Sequence, residues 1–223
     1  MMKIAWQNCN SLNDAEVVLF GVASSEASLY AGSEKAPQAI RAASLKYYTG
    51  STLSGKRFVL HSESGPIKKK LYDIGDVFKD EVSEFVARIV TLHKLPAMLG
   101  GDHSCTLNAL KGLASAHKKF SVVYFDAHLD MVAGEGSFYG SVLSDASKLK
   151  QLKLNKSVCV GFRAFREEEL KNAKKNRLLL MPASKLKELS VAKVFSMIKK
   201  RVYKNVYLSI DVCLLYTSPS PRD

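Results

Sequence analysis

The stretch that decides the fold is Ser121-Val-Val-Tyr-Phe-Asp-Ala-His-Leu-Asp130, in which an apolar run ends in a polar loop. The run Ser121–Phe125 is short and continuous in its apolar character, which is typical of strands that are buried on both faces. Two carboxylates and an imidazole follow it within five residues. We therefore predict a buried strand whose carboxyl end carries a polar site.

The same pattern extends in both directions along the chain. Six further apolar runs predict strands at residues 17–20, 70–74, 96–99, 157–161, 178–181 and 205–210. Amphipathic stretches between them predict helices at residues 37–47, 79–93, 106–117, 141–152, 166–175 and 191–202. Strands that alternate with helices indicate crossover units and a parallel sheet, so the predicted fold class is α/β.

The composition excludes several classes of protein. The 223 residues are 47% hydrophobic and 24% charged, as in an ordinary globular protein. No apolar run approaches the about 18–20 residues of a membrane span, and the four cysteines lie far apart without a Cys-x-x-Cys pair. We expect a reduced, cytoplasmic protein that binds no membrane.

The net charge of +12 raises the question of nucleic acid. The lysine clusters are scattered through predicted loops and helix ends, and they are not interleaved with aromatic residues as in a binding stripe. Solvated surface is the simpler interpretation, and we predict no nucleic-acid partner.

Acidic and imidazole side chains collect at the ends of three predicted strands. His103 follows the strand at 96–99, the sequence Asp126-Ala-His128-Leu-Asp130 follows the strand at 121–125, and Asp211 follows the strand at 205–210. In a parallel sheet, the loops at the carboxyl ends of neighbouring strands meet and form ligand sites. Residues two apart in extended chain point the same way, so Asp126, His128 and Asp130 can converge.

Such a cluster is costly to bury unless it binds a cation. Mixed imidazole and carboxylate ligands suit Mn²⁺, Zn²⁺, Fe²⁺ or Co²⁺, and the excess of oxygen favours Mn²⁺. The alternative is a polar loop in which these residues occur together by chance.

The sequence also resembles a known family. Leu99-Gly-Gly-Asp-His-Ser104, Phe125-Asp-Ala-His-Leu-Asp130 and Leu208-Ser-Ile-Asp211 are similar to the three signature blocks of the ureohydrolases, which include the arginases and agmatinases. Tyr30–Arg41 and Asp73–Val77 resemble two earlier segments of the family. The resemblance covers about residues 17–211, in order.

The resemblance implies a three-layer α/β/α fold with a mainly parallel sheet. It also implies a binuclear manganese centre that hydrolyses a guanidino group to urea and an amine, on the route to polyamines. The expected substrate is a small cationic guanidino compound, with agmatine the first choice and arginine the second, and the protein is expected to be a homo-oligomer. A metal-dependent deacylase of similar architecture is a more distant alternative.

The resemblance further implies which residues bind the metal ions. One ion would be bound by His103, Asp126, Asp130 and Asp211. The other would be bound by Asp126, His128, Asp211 and an aspartate two residues beyond Asp211. Asp126 and His128 are accordingly candidate catalytic residues, and Asp102 would support the site without binding metal.

The sequence departs from the family pattern in three places. Cys213 stands where the family has the second aspartate of the third block, which weakens the second metal site. Tyr139 stands where the family has a histidine that is a candidate proton shuttle, and it is a third candidate catalytic residue. The family's sequence after the third block is absent.

These departures lead to three expectations. Residues 1–212 form an arginase-like domain that lacks its last strand and helix, and residues 213–223 are a non-native or disordered tail. The strands at 96–99 and 205–210 lose the neighbour that they share in the family, so the 223-residue chain is inactive. The alternative of another class is a ureohydrolase-like protein with an impaired site that acts as a binder or subunit, and Tyr139 is its main support.

Overall fold

The computed structural model describes residues 2–28, 31–51, 57–59, 68–134 and 138–215. The contacts between residues divide the chain into two compact units, Met1–Asn108 and Ala109–Asp223. His61 and residues 216–223 of the predicted tail lie outside the described residues. A single domain over residues 1–212 stays a prediction.

The first unit is built on a parallel three-stranded sheet of order β4-β1-β5, accompanied by a short antiparallel hairpin of β2 and β3. Its elements are β1 (Val17–Gly21), α1 (Ala36–Tyr48), β2 (Thr49–Ser51), β3 (Arg57–Val59), β4 (Leu71–Asp76), α2 (Val82–Thr91), β5 (Leu95–Leu99) and α3 (Cys105–Ala116). The boundary between the units falls within α3.

The central strand β1 is buried on both faces, as the apolar run predicts. Val18 packs with Ile89 of α2, whereas the next residue, Leu19, packs with Ile4 in a separate cluster. Because successive side chains of a strand point to opposite faces, β1 contributes to apolar contacts on both sides of its sheet.

A buried ion pair joins α1 to β4 in this unit. Arg41 is 2% exposed, and its Nε and Nη2 donate to the two carboxylate oxygens of Asp73 at 2.8 and 2.9 Å. Its Nη1 donates to Asp76 Oδ1 at 2.5 Å, and Nη2 also donates to the carbonyl oxygen of Gly75 at 3.0 Å. This fork-shaped arrangement satisfies a guanidinium that is withdrawn from water.

The electrostatic effect of the pair is visible at Asp73. Burial by itself would raise the pKa of this carboxyl, but hydrogen bonds from Arg41 and from the backbone amides of Gly75 and Ile4 outweigh it. The pKa of Asp73 therefore lies below its ordinary value, and the group is ionised in the folded protein.

The second unit contains a parallel four-stranded sheet of order β8-β7-β6-β9. Its elements are β6 (Ser121–Phe125), α4 (Val142–Ala146), β7 (Val158–Val160), α5 (Glu167–Lys175), β8 (Leu179–Met181), α6 (Ala183–Leu186), α7 (Val191–Arg201) and β9 (Val206–Ile210). The α/β class and the parallel strands are thus confirmed. No helix in the described part of the chain is long and apolar enough to cross a membrane.

Local chemistry explains several of these elements. The side chain of Ser190 caps α7 by accepting a hydrogen bond from the amide of Lys193 at 3.2 Å. Three glutamates open α5 and two lysines close it, a distribution that complements the helix dipole. One face of α7, including Val194 and Ile198, packs against β7 and β8.

The helix predicted at 141–152 is much shorter, since α4 ends at Ala146. The backbone around Leu152 instead pairs with Phe120, whose amide donates to Gln151 O at 3.2 Å and whose carbonyl accepts from Lys153 N at 3.1 Å. These bonds require extended chain at the point where the helix was expected to continue.

The strands β5 and β9 are less buried than their apolar runs suggest. Leu95 is 63% exposed, Leu208 is 56% exposed and Ile210 is 66% exposed. Each of the two strands lies at the edge of its own sheet, where it pairs with one neighbour, β1 for β5 and β6 for β9. The edge position accounts for the exposure.

Candidate metal centre

The loop after β6 brings three of the predicted ligands together. One potential ligand atom from each of Asp126, His128 and Asp130 lies within 4.8 Å of the other two. Asp126 is 0% exposed and Asp130 4%, whereas the His128 side chain is 48% exposed. Bonds of about 2.0–2.3 Å to one ion require ligand atoms within about 4–5 Å of each other, and this cluster meets that requirement.

Asp126 is fixed from two sides. Its backbone amide donates to Val160 O of β7 at 3.1 Å, while its Oδ1 accepts from the backbone amide of His128 at 3.0 Å. The same oxygen lies 3.3 Å from Nδ1 of the His128 ring. The hydrogen bond to Asp126 raises the pKa of His128 and outweighs burial, and the charges of Asp126, Asp130 and Asp211 act in the same direction.

Asp130 has an unusual backbone that several contacts stabilise. Its φ of 49° lies in the left-handed region. Its carbonyl accepts hydrogen bonds from the amides of Leu143 at 2.9 Å and Ser144 at 3.2 Å, at the start of α4. The next residue, Met131, donates its amide to Glu169 Oε1 at 3.3 Å. Two helices, α4 and α5, therefore set the position of this residue.

The carboxylate of Asp130 has a partner that the sequence analysis did not identify. The hydroxyl of Tyr124, a fully buried residue of β6, donates to Asp130 Oδ2 at 2.6 Å. Burial, followed by the negative charge of Asp130, raises the pKa of Tyr124 well above its ordinary value, so the phenol stays protonated and donates. The sequence signal that places Tyr124 near the site is the two-residue period of a strand, which puts the side chains of residues 124 and 126 on the same side.

Asp211 follows β9, the strand beside β6. Its backbone amide donates to Phe125 O at 2.9 Å, and its Oδ1 accepts from the amide of Cys213 at 2.7 Å. Arg163 then secures the next turn by donating to Cys213 O at 2.9 Å. Asp211 thus follows directly on the strand that pairs with β6, the strand that leads to Asp126.

His103 belongs to the first unit, in the loop between β5 and α3. It is half-buried, and its neighbour Asp102 organises the loop: Oδ1 accepts from Ser104 N at 2.9 Å, and Oδ2 accepts from Ala27 N at 3.3 Å. Gly101 is required here, because a Cβ atom would lie 2.0 Å from the carbonyl oxygen of Ser24. Asp102 therefore stabilises the loop backbone, while its support of a metal site and metal binding by His103 stay predictions.

Two of the departures from the family pattern, Tyr139 and Cys213, each lie in a short 3₁₀ turn. Tyr139 is half-buried in a short 3₁₀ turn, and its ring packs on Phe138 with centroids 4.3 Å apart. Cys213 lies in the 3₁₀ turn after Asp211 and contributes no ligand atom to the cluster of Asp126, His128 and Asp130. A thiolate at this position therefore does not complete that cluster in the described residues.

The donor set fits a divalent metal ion. Two buried carboxylates and one accessible imidazole provide hard oxygen and borderline nitrogen ligands, which suit Mn²⁺ and its first-row neighbours. A parallel α/β fold with this cluster at its strand ends defines a protein with a candidate divalent-cation site.

Comparison with known proteins identifies the family. Residues 15–221 match the Arginase family, and the chain belongs to it. It is 28% identical over 220 residues to an agmatinase of Edwardsiella ictaluri, covering 93% of this chain and 69% of the relative. It is 29% identical over 155 residues to an agmatinase of Sodalis glossinidius, covering 68% of this chain and 48% of that protein, about half its length.

A solved structure agrees with this assignment. The agmatine ureohydrolase of Thermoplasma volcanium superposes with a TM-score of 0.77 at 25% identity, covering 95% of this chain and 71% of the other. The arginase-like fold expected from the signature blocks is therefore confirmed.

Proposed function

We propose that the protein is a manganese-dependent ureohydrolase that cleaves the guanidino C–N bond of agmatine and releases urea and an amine. The convergence of Asp126, His128 and Asp130 within 4.8 Å carries this proposal. Membership of the Arginase family and the agmatinase relatives support it. Arginine is the alternative substrate.

The proposed ligands are those that the resemblance implies. His103, Asp126, Asp130 and Asp211 would bind one Mn²⁺ ion, and Asp126, His128 and Asp211 would bind the other. When bound, the ions would lower the pKa of a coordinated water and polarise the guanidino carbon. The family's additional aspartate is Cys213 here, so we propose that the second ion binds more weakly than the first.

The chain's own residues supply orientation and charge. Asp126 Oδ1 orients the His128 ring through Nδ1, and the half-exposed imidazole can exchange that proton with solvent. The buried carboxylates create a negative potential that attracts a guanidinium group.

Tyr139 favours a second candidate function, that of an impaired family member that binds without turnover. A phenol is a poorer proton carrier near neutral pH than the imidazole of the histidine that the family has at this position. If Tyr139 is the cause of an impaired site, the Tyr139→His variant releases urea faster than the unchanged protein.

The activity is proposed for the whole protein, because this chain spans 48% of the Sodalis agmatinase. We propose that the 223-residue chain alone is inactive, which the exposed edge strands β5 and β9 support. We also propose a homo-oligomer in the cytoplasm, which light scattering and cell fractionation would test.

The test is urea release from agmatine and from arginine, with Mn²⁺ added, by a protein of full family length and by the 223-residue chain. Faster release from agmatine by the longer protein, lost in an Asp126→Asn variant, is the expected result. Urea from neither substrate would refute the proposed activity, and preference for arginine would refute the choice of substrate.

A further inference from the structure

Strand β6 contributes a buried phenol that donates to a proposed metal ligand. Tyr124 is 0% exposed, and its hydroxyl donates to Asp130 Oδ2 at 2.6 Å. A phenol is not needed to fill this position, since phenylalanine has the same ring without a group that requires a buried acceptor. The buried hydroxyl is satisfied because Asp130 Oδ2 accepts its hydrogen bond.

The geometry points to Tyr124 as the residue that positions the Asp130 carboxylate for metal binding, an inference that rests on the proposed metal centre. The backbone of Asp130 is fixed by α4 through Leu143 and Ser144, but those bonds reach its carbonyl and not its side chain. The Tyr124 bond acts on the carboxylate itself. Holding one oxygen fixes the plane of the group, which determines where the second oxygen points.

The strength of the contact is adequate for this role. A short O–H···O⁻ bond is charge-assisted and about twice as strong as a neutral one. It is also shielded from water, because both residues are buried. Hydrogen bonds that orient a ligand typically contribute 10–100-fold to metal affinity. Tyr124 is a positioning residue in this sense, since its hydroxyl would act through the Asp130 carboxylate.

The test is a double-mutant cycle on the full 223-residue chain, with Mn²⁺ binding followed by the electron paramagnetic resonance signal of the free ion. We expect Tyr124→Phe to weaken the tighter Mn²⁺ site about 10–100-fold. In an Asp130→Asn background the same change should have little further effect, because the carboxylate on which it acts is gone. Tyr72→Phe, the same chemical change on β4, is the matched control and should leave the affinity unchanged.

A purely structural role for Tyr124 predicts a different pattern. The unfolding temperature of the metal-free Tyr124→Phe variants would then be lower. The loss of Mn²⁺ affinity would be the same with and without the Asp130 carboxylate. That result, or an unchanged affinity in Tyr124→Phe, overturns the assignment while leaving the metal centre intact. Absence of Mn²⁺ binding by the unchanged chain would instead refute the metal centre and the assignment with it.

Discussion

Each unit of the molecule contains a pair of aspartates a few residues apart, and the two pairs contact different kinds of group. In the first unit, Asp73 and Asp76 bind the guanidinium of Arg41. In the second, Asp126 contacts the imidazole of His128, and Asp130 accepts from the phenol of Tyr124. The first pair contacts a permanent cation of the chain, whereas the second contacts a titratable imidazole and a phenol.

The difference separates a structural cluster from a functional one. A buried carboxylate such as Asp73 that is paired with arginine has its charge compensated within the fold, and removing the arginine alone is destabilising. The carboxylates of Asp126 and Asp130, which converge with the His128 imidazole, are the ones proposed to bind a cation from solution. Sequence alone shows each pair as two aspartates a few residues apart, within or just after a strand, and the partners distinguish them.

The largest expected effect is the loss of the cation in the first unit. Replacing Arg41 with methionine leaves Asp73 buried without its guanidinium, and breaking a buried pair from one side costs about 3–5 kcal/mol. Urea-induced unfolding of the metal-free chain would measure this loss. A change below about 1 kcal/mol would show that the pair is not a structural cluster.

The matching change in the second unit should separate stability from binding. In Asp126→Asn, the amide oxygen can still accept the His128 amide, and one buried negative charge is removed, so we expect a metal-free unfolding free energy within about 1 kcal/mol of the original. Mn²⁺ affinity should fall more than about 100-fold, since even residues that only orient ligands contribute 10–100-fold. Isothermal titration calorimetry would test this, and unchanged Mn²⁺ affinity would contradict it.

The response to acid should sharpen the comparison. The pKa of Asp73 is lowered in the folded protein, so its contribution to stability is present above the unfolded value of about 3.9 and is lost as the pH falls through the folded value. We expect unfolding free energies measured below about pH 4 to decrease by up to about 1.4 kcal/mol per pH unit from this group. An Asp73→Asn variant should lack that part of the slope, and an unaltered slope would refute the assignment.

The smallest effect is expected where an ion pair is exposed. Lys171 and Glu167 lie 2.8 Å apart on α5, with side chains 73% and 80% exposed. Lys171→Ala should change the unfolding free energy by less than about 0.5 kcal/mol, because water and salt screen such pairs. A loss of unfolding free energy comparable with that of Arg41→Met would show that burial does not explain the difference between the two ion pairs.

The elements that sequence predicts best are those whose apolar pattern is also their packing pattern. Ser121–Phe125 forms β6 with the predicted bounds, because the ends of a continuous apolar run between polar neighbours mark where the buried strand begins and ends. The hairpin of β2 and β3 was missed, since its residues Thr49-Gly-Ser51 show no alternation of apolar and polar side chains. The short α4 was missed because the pairing of Leu152 with Phe120 is a tertiary contact.

The same distinction applies to the candidate centre. Asp126, His128 and Asp130 could be predicted to converge because their spacing of two is local to one loop. The ion pair of Arg41 with Asp73 joins residues 32 apart, and its existence depends on how α1 packs beside β4. Tyr124 was overlooked for a related reason, since its sequence context is that of an ordinary buried strand residue.

The position of β9 at the edge of its sheet has a consequence for local opening. An edge strand with one neighbour and exposed side chains at Val206, Leu208 and Ile210 opens with less free energy than the enclosed β6. Its amide protons therefore exchange with solvent sooner than those of Ser121–Phe125. Asp211 follows directly on β9, so a carboxylate that is proposed to bind metal is attached to the less protected strand. Part of the binding free energy of an ion would then be used to hold this strand closed, and metal occupancy would be read out as slower exchange along Val206–Ile210.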